Sequence, residues 1–115
     1  MISKELLSEV LACEGVVQII HHIPNGQPML YFDECISCAT FQKEINIHEL
    51  AYKCKEWAYS VHRLRLLTGF TLKGRGTCAV KNTYGQILTV KVYYTEPEAI
   101  FAACAWILNN KGEQC

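Results

Sequence analysis

Apolar and polar residues recur along the chain with two different periods, and the switches between them mark the elements. In residues 3–13, Leu6, Leu7, Val10, Leu11 and Cys13 fall at helical spacing, with Ser3 placed as N-cap and Gly15 as terminator. Residues 16–23 and 29–32 have strand character. Between them Asn25-Gly26 is a hairpin-turn signal, because both residues tolerate positive φ. Pro24 and Pro28 each remove a backbone donor beside that turn, which predicts a short or edge hairpin. Residues 33–44 follow neither period and are predicted irregular.

A second helix begins after Asn46, whose cap is completed by Glu49 three positions on. Its apolar stripe is Ile47, Leu50, Ala51, Cys54, Trp57, Ala58 and Val61. From residue 60 the period becomes two, with His62, Leu64 and Leu66 alternating with Arg63 and Arg65. Gly69, Gly74 and Gly76 punctuate the next turn. Residues 77–82 and 87–95 then form a predicted hairpin around Tyr84-Gly85. Glu96-Pro97-Glu98 opens a last helix, with Pro97 at its first position and acids where the helix dipole favours them. Ile100, Phe101, Cys104, Ile107 and Leu108 form its buried face, and Asn109, Asn110 and Gly112 stop it. The order α-β-β-α-β-β-β-α, with short turns between strands, predicts a single α+β domain over residues 1–115. It would hold an antiparallel sheet of about five strands with helices packed on one face.

Composition narrows the class. The chain has 115 residues, half of them hydrophobic, enough for one core and incompatible with intrinsic disorder. No apolar run approaches the ~20 residues that span a bilayer. Glu5, Glu9 and Glu14 stand where an export signal needs an uncharged stretch, so a soluble, cytoplasmic domain is expected. Seven cysteines without an export signal predict free thiols in a reducing compartment.

The net charge of zero conceals an asymmetry. Residues 1–60 carry four Lys and eight Asp/Glu, whereas residues 61–115 carry seven Lys/Arg and three Glu. Residues 61–95 contain six bases and no acid. In the three C-terminal strands the even positions (Leu64, Leu66, Cys78, Val80, Leu88, Val90, Val92, Tyr94) are predicted to meet the helices. That leaves Arg63, Arg65, Lys81, Lys91 and Tyr93 outward, with Lys73 and Arg75 on the adjacent Gly-rich loop. These seven are the candidate anion- or partner-binding residues. A basic sheet face with an exposed aromatic suits phosphates and bases. The ordinary alternative is a solvated face.

Other chemistry is thinner. Cys35 and Cys38 form a CxxC after a strand, which resembles the thioredoxin redox context. No proline precedes Thr77, however, and no helix separates residues 60–67 from the hairpin, as that family requires. The same pair could be half of a zinc site, but no second CxxC or HxxxH completes it. His21, His22, His48, His62 and Cys54 could join only through tertiary proximity. His48-Glu49 is not an HExxH, since residue 52 is Tyr. No GxSxG or P-loop occurs, and no catalytic residue is assigned. Cys13, Cys54, Cys78 and Cys104 fall on apolar faces and are expected as core residues, with Cys115 exposed. Trp57 and Trp106 are candidate packing or partner-anchoring residues.

The segments IHELAYKCKEWAYS (47–60) and EPEAIFAACAWILNNK (96–111) resemble parts of short phage- and prophage-encoded proteins of unknown function. The resemblance implies a small accessory protein that binds host factors and carries no active-site residues across. The expected function is therefore a non-enzymatic intracellular binding or regulatory module that engages a partner protein, as monomer or homodimer and without cofactor. Nucleic-acid binding through the basic face and a CxxC zinc or redox site are the alternatives.

Overall fold

Residues 2–21, 29–37 and 39–110 are described by a computed structural model of the chain. The Asn25-Gly26 turn, His22, Cys38 and Cys115 lie outside the described residues.

Helix α1 (Lys4–Leu11) is capped by Ser3, whose Oγ accepts from Leu6 N at 3.1 Å, and it ends at Ala12 in the left-handed region. Leu6 and Leu7 are buried, and Val10, Leu11 and Cys13 are packed against the core. Three strands follow, β1 (Val16–His21), β2 (Met29–Ile36) and β3 (Ala39–Asn46), paired in the order β1-β2-β3. Strand β3 occupies residues that sequence periodicity leaves irregular. All its side chains but two are exposed, and only Ile45, opposite Leu30, is buried. A strand with a single buried position has no hydrophobic period to read. Cys35 is in strand β2 rather than at a helix N-terminus, and Ser37 has φ 50°.

Helix α2 (Ile47–His62) starts at the Asn46 cap, where Oδ1 accepts from His48 N at 2.8 Å and Glu49 N at 3.4 Å. It runs further than the residue alternation suggests: His62 is helical, and Arg63 at φ 57° is the left-handed C-cap. Leu50, Ala51, Cys54, Trp57 and Ala58 are buried, while Val61 is exposed. A second sheet, β4 (Arg65–Phe70), β5 (Gly76–Lys81) and β6 (Ile87–Tyr93), is antiparallel in the order β4-β5-β6. Helix α3 (Glu96–Asn109) is capped by Thr95, and Pro97 is its second residue.

The chain is thus α+β; its described residues form six strands in two three-stranded sheets rather than about five in one, in the order α-β-β-β-α-β-β-β-α. One buried cluster links them. Leu30, Phe32 and Ile45 of the first sheet join Leu64, Leu66, Cys78 and Val80 of the second through Leu6, Leu50, Ile100 and Ile107 of the helices. Helix α3 packs on β5 and β6, and α2 packs on β4 and α3. Close approach here depends on Gly76, where a Cβ would collide with the backbone of Thr95 and Glu96. The Cα trace measures 43 × 35 × 17 Å, so the molecule is thin in one direction.

Candidate functional site

Which side chains the second sheet presents is settled by a one-residue bulge in β6. Leu66 of β4 lies opposite Val80 of β5, so even residues face even residues there. Between β5 and β6, Cys78 lies opposite Lys91 and Ala79 opposite Val90. Even therefore faces odd: the turn leaves Lys81 opposite Ile87, and a bulge at Val80/Lys81, with Leu88 the extra residue, then shifts the register by one. A one-residue shift sends every side chain of a strand to the other face. Thr89, Lys91 and Tyr93 consequently share the helix side with Cys78, and Val90 and Val92 share the outer side with Thr77 and Ala79.

This corrects the expected face assignment. Leu64, Leu66, Cys78 and Val80 are buried as expected, but Leu88, Val90, Val92 and Tyr94 are exposed. The outer face carries three cross-strand rows: Arg65–Lys81–Ile87, Leu67–Ala79–Val90 and Gly69–Thr77–Val92. Leu67 is 47% exposed, Val90 52%, Val92 47% and Ile87 59%. Leu88, the extra residue at the bulge, is also exposed. An antiparallel sheet packed on one side normally shows polar residues to water on the other. Here β6 does the reverse, and none of the described residues covers it.

The seven basic or aromatic candidates are divided among three places. Arg63, Arg65 and Lys81 come together with Tyr59, Asn82 and Thr83 around a shallow cleft of about 240 Å³ at one end of the outer face. Arg63 is placed by its capping geometry, its N–H bonded to Tyr59 O at 3.0 Å. The opposite wall is a braced turn, in which Asn82 Oδ1 accepts from Tyr84 N at 3.0 Å and Gln86 N at 2.9 Å. Among the described residues the three cations have no ion-pair partner.

Lys91 and Tyr93 do not join them. They line a separate cleft of about 390 Å³ against Glu98, Phe101 and Trp106 of α3. Lys73 and Arg75 are on the β4–β5 turn, where the Arg75 guanidinium stands 5.1 Å from the Tyr94 ring centroid. Tyr94 in turn borders an apolar cleft of about 480 Å³ between α2, β4 and the start of α3. Tyr52 and Phe70, both well exposed, also line it. Tyr52, Tyr59, Phe70 and Asn82 were not singled out by sequence pattern. The spacing of Lys81 and Ile87 keeps odd opposite odd, so the Leu88 bulge alone reverses β6, and no periodicity in the sequence marks it.

Three of the described thiols are core groups, and Cys13 and Cys35 are half-buried. Cys54, Cys78 and Cys104 are fully buried, and Cys104 Sγ donates to Cys54 O at 3.6 Å. Burial pushes the Cys78 thiol up to about 12, with Lys55 opposing and Glu96 reinforcing the shift. The hydrogen bond to Cys54 and then burial raise Cys104. Cys13 is raised by burial and by Glu34. Among the described residues no three His, Cys, Asp or Glu side chains are grouped to hold a metal ion, and no helix is long and apolar enough to cross a membrane.

No protein-family model, no curated protein and no solved structure matches the chain.

Proposed function

We propose that this chain is a non-enzymatic binding module that engages a partner protein through the outer face of β4-β5-β6. The observation that carries the reading is the inverted β6, which turns Val90 and Val92 to water beside Leu67 and Ile87 while Lys91 faces the helices. Full burial of one such side chain is worth about 1.5–3 kcal/mol, so covering several half-exposed ones supplies a useful share of a binding free energy. Contiguous aliphatic surface on a small domain marks interaction sites more often than catalytic ones. The resemblance of residues 47–60 and 96–111 to short phage-encoded proteins supports the same reading, since such accessory proteins act by engaging host proteins.

The test is photo-cross-linking from the centre of the face. p-Benzoylphenylalanine replaces Ala79, and the chain is irradiated in cells that express it. The expected product is an adduct with a different protein that disappears when Leu67→Asp and Val90→Asp are added. An adduct of twice the chain mass would make the partner a second copy. Absence of any adduct from position 79, with adducts from a control position on α1, would sink the reading.

A further inference from the structure

We infer that the partner segment on this face is an aliphatic stretch bearing a carboxylate, and that the carboxylate seats in the cleft formed by Arg63, Arg65 and Lys81. The inference rests on the outer face being the docking surface and names the chemistry that would dock there.

The geometry is that of two adjacent rows. Arg65, Lys81 and Ile87 are cross-strand neighbours, and Leu67, Ala79 and Val90 form the next row on the same face. Same-face rows are two residues apart along a strand, about 7 Å. An extended segment with Asp or Glu two positions from Leu, Ile or Val has the same spacing, so one such segment can satisfy both rows at once. Arg63, from the α2 cap, and Thr83, whose amide forms no bond within the turn, add donors to the cleft. Arginine pairs provide the forked donors that a carboxylate accepts in two bonds.

Charge complementarity points outward from the chain. No Asp or Glu occurs anywhere in residues 61–95, so the sheet has no counter-ion of its own for these cations. Single-stranded nucleic acid fits the face less well. It needs aromatic platforms for its bases and cations repeated along its backbone. Beyond the Arg65–Lys81 row the outer face continues as Leu67, Ala79, Val90, Thr77 and Val92, with neither.

The test is selection of short linear peptides from a random display library on the immobilised full chain, in three forms: unaltered, Arg63→Glu/Arg65→Glu, and Leu67→Asp/Val90→Asp. Arg63, Arg65, Leu67 and Val90 are all exposed, and each variant is first matched to the unaltered chain by circular dichroism. The expected outcome is enrichment of peptides with Asp or Glu two positions from an aliphatic residue. A synthetic consensus peptide should bind about tenfold more weakly to the arginine variant and weaken as salt is raised. Aliphatic peptides without acid, lost only in Leu67→Asp/Val90→Asp, would overturn this inference and leave the docking face standing. No enrichment over that variant would overturn both. Retention of an oligothymidylate, lost in the arginine variant and without peptide enrichment, would replace the carboxylate with a phosphate backbone and overturn the inference as well.

Discussion

Cys78 on β5 lies directly opposite Lys91 on β6, so a fully buried thiol and a lysine share the helix side of one sheet. Their pairing forces Val90 and Val92 outward. An aliphatic strand pattern is therefore spent on the surface of a molecule only 17 Å thick in one direction. A sequence that folds this way carries a local conflict between pattern and burial, and such conflicts concentrate where a protein does something other than fold.

The pairing makes matched valine substitutions diverge. Val90→Thr should leave stability within about 0.5 kcal/mol, as surface changes usually do. Val80→Thr places a hydroxyl among Cys78, Leu66 and Ile107 in the core and should cost about 1–3 kcal/mol. Urea denaturation of the two variants measures both. Equal losses would show that Val90 is buried and the register is not as described.

Gly76 is irreplaceable for a steric reason. A methyl there meets backbone atoms of Thr95 and Glu96, which cannot move without displacing the start of α3. Gly76→Ala should destabilise by about 3 kcal/mol, at the upper end for overpacking. Gly15→Ala, with nothing within 4 Å of the new methyl, is the control. A Gly76→Ala variant as stable as the Gly15→Ala control would place α3 further from β5.

The core and its helices were legible because their stripes are one-sided. Leu50, Cys54, Trp57 and Ala58 recur on one face of α2, and Ile100, Phe101, Cys104 and Ile107 on one face of α3. Leu66 and Val80 were placed correctly because they pair even with even. Strand β3 was not legible, since Ile45 is its single buried side chain and the rest of its stability comes from the ladder with β2. The end of α2 was misplaced by two residues because His62 continues the helix and Arg63 caps it in a conformation no pattern of polarity encodes. Of the candidate binding residues, Arg65 and Lys81 follow from alternation, whereas Lys91 and Tyr93 fall on the other face because a one-residue bulge at Leu88 interrupts the alternation. The cleft itself needed tertiary structure, because Tyr59 and Thr83 reach it from separate elements.

The raised Cys78 thiol sets an alkaline limit on stability. Its folded value of about 12 lies above the ordinary thiol value of 9.0, so the folded state keeps a proton that the unfolded chain gives up. Stability from this group is complete below about pH 9 and falls as pH rises from there through about 12. The slope for one thiol is about 1.4 kcal/mol per pH unit. Cys78→Ala should reduce the slope of that part of the curve, measured by urea denaturation, by this one-thiol amount, leaving the contribution of the raised Cys104 thiol. In the native state at pH 8, Cys54, Cys78 and Cys104 should resist iodoacetamide and react only in denaturant. Rapid native labelling of Cys78 would mean that the site opens to solvent.

Asn82 holds the turn beside the bulge that fixes which face β6 presents. Its Oδ1 accepts the amides of Tyr84 and Gln86, and its Nδ2 donates to Gln86 Oε1 at 3.0 Å. With Gly85 at φ +82° these bonds hold a loop that brings Lys81 opposite Ile87. Asn82→Ala removes all three, and the local cost should be about 1–2 kcal/mol from the lost side-chain bonds. The larger consequence concerns register. The slipped pairing, which keeps the odd-opposite-odd parity of Lys81 and Ile87, would turn Val90 and Val92 to the core and Lys91 outward; the bulge that inserts Leu88 excludes it, and the Asn82 turn anchors the strand ends beside that bulge. Hydrogen exchange should show faster exchange of the β6 amides in Asn82→Ala than in the unaltered chain, with the β4–β5 amides unchanged. Cross-strand nuclear Overhauser effects would report the pairing directly. Contacts between Cys78 and Lys91 should weaken as contacts between Cys78 and Val90 or Val92 appear. If both the exchange rates and the Cys78–Lys91 contacts are untouched, the register is set by α3 packing on β6 rather than by the turn.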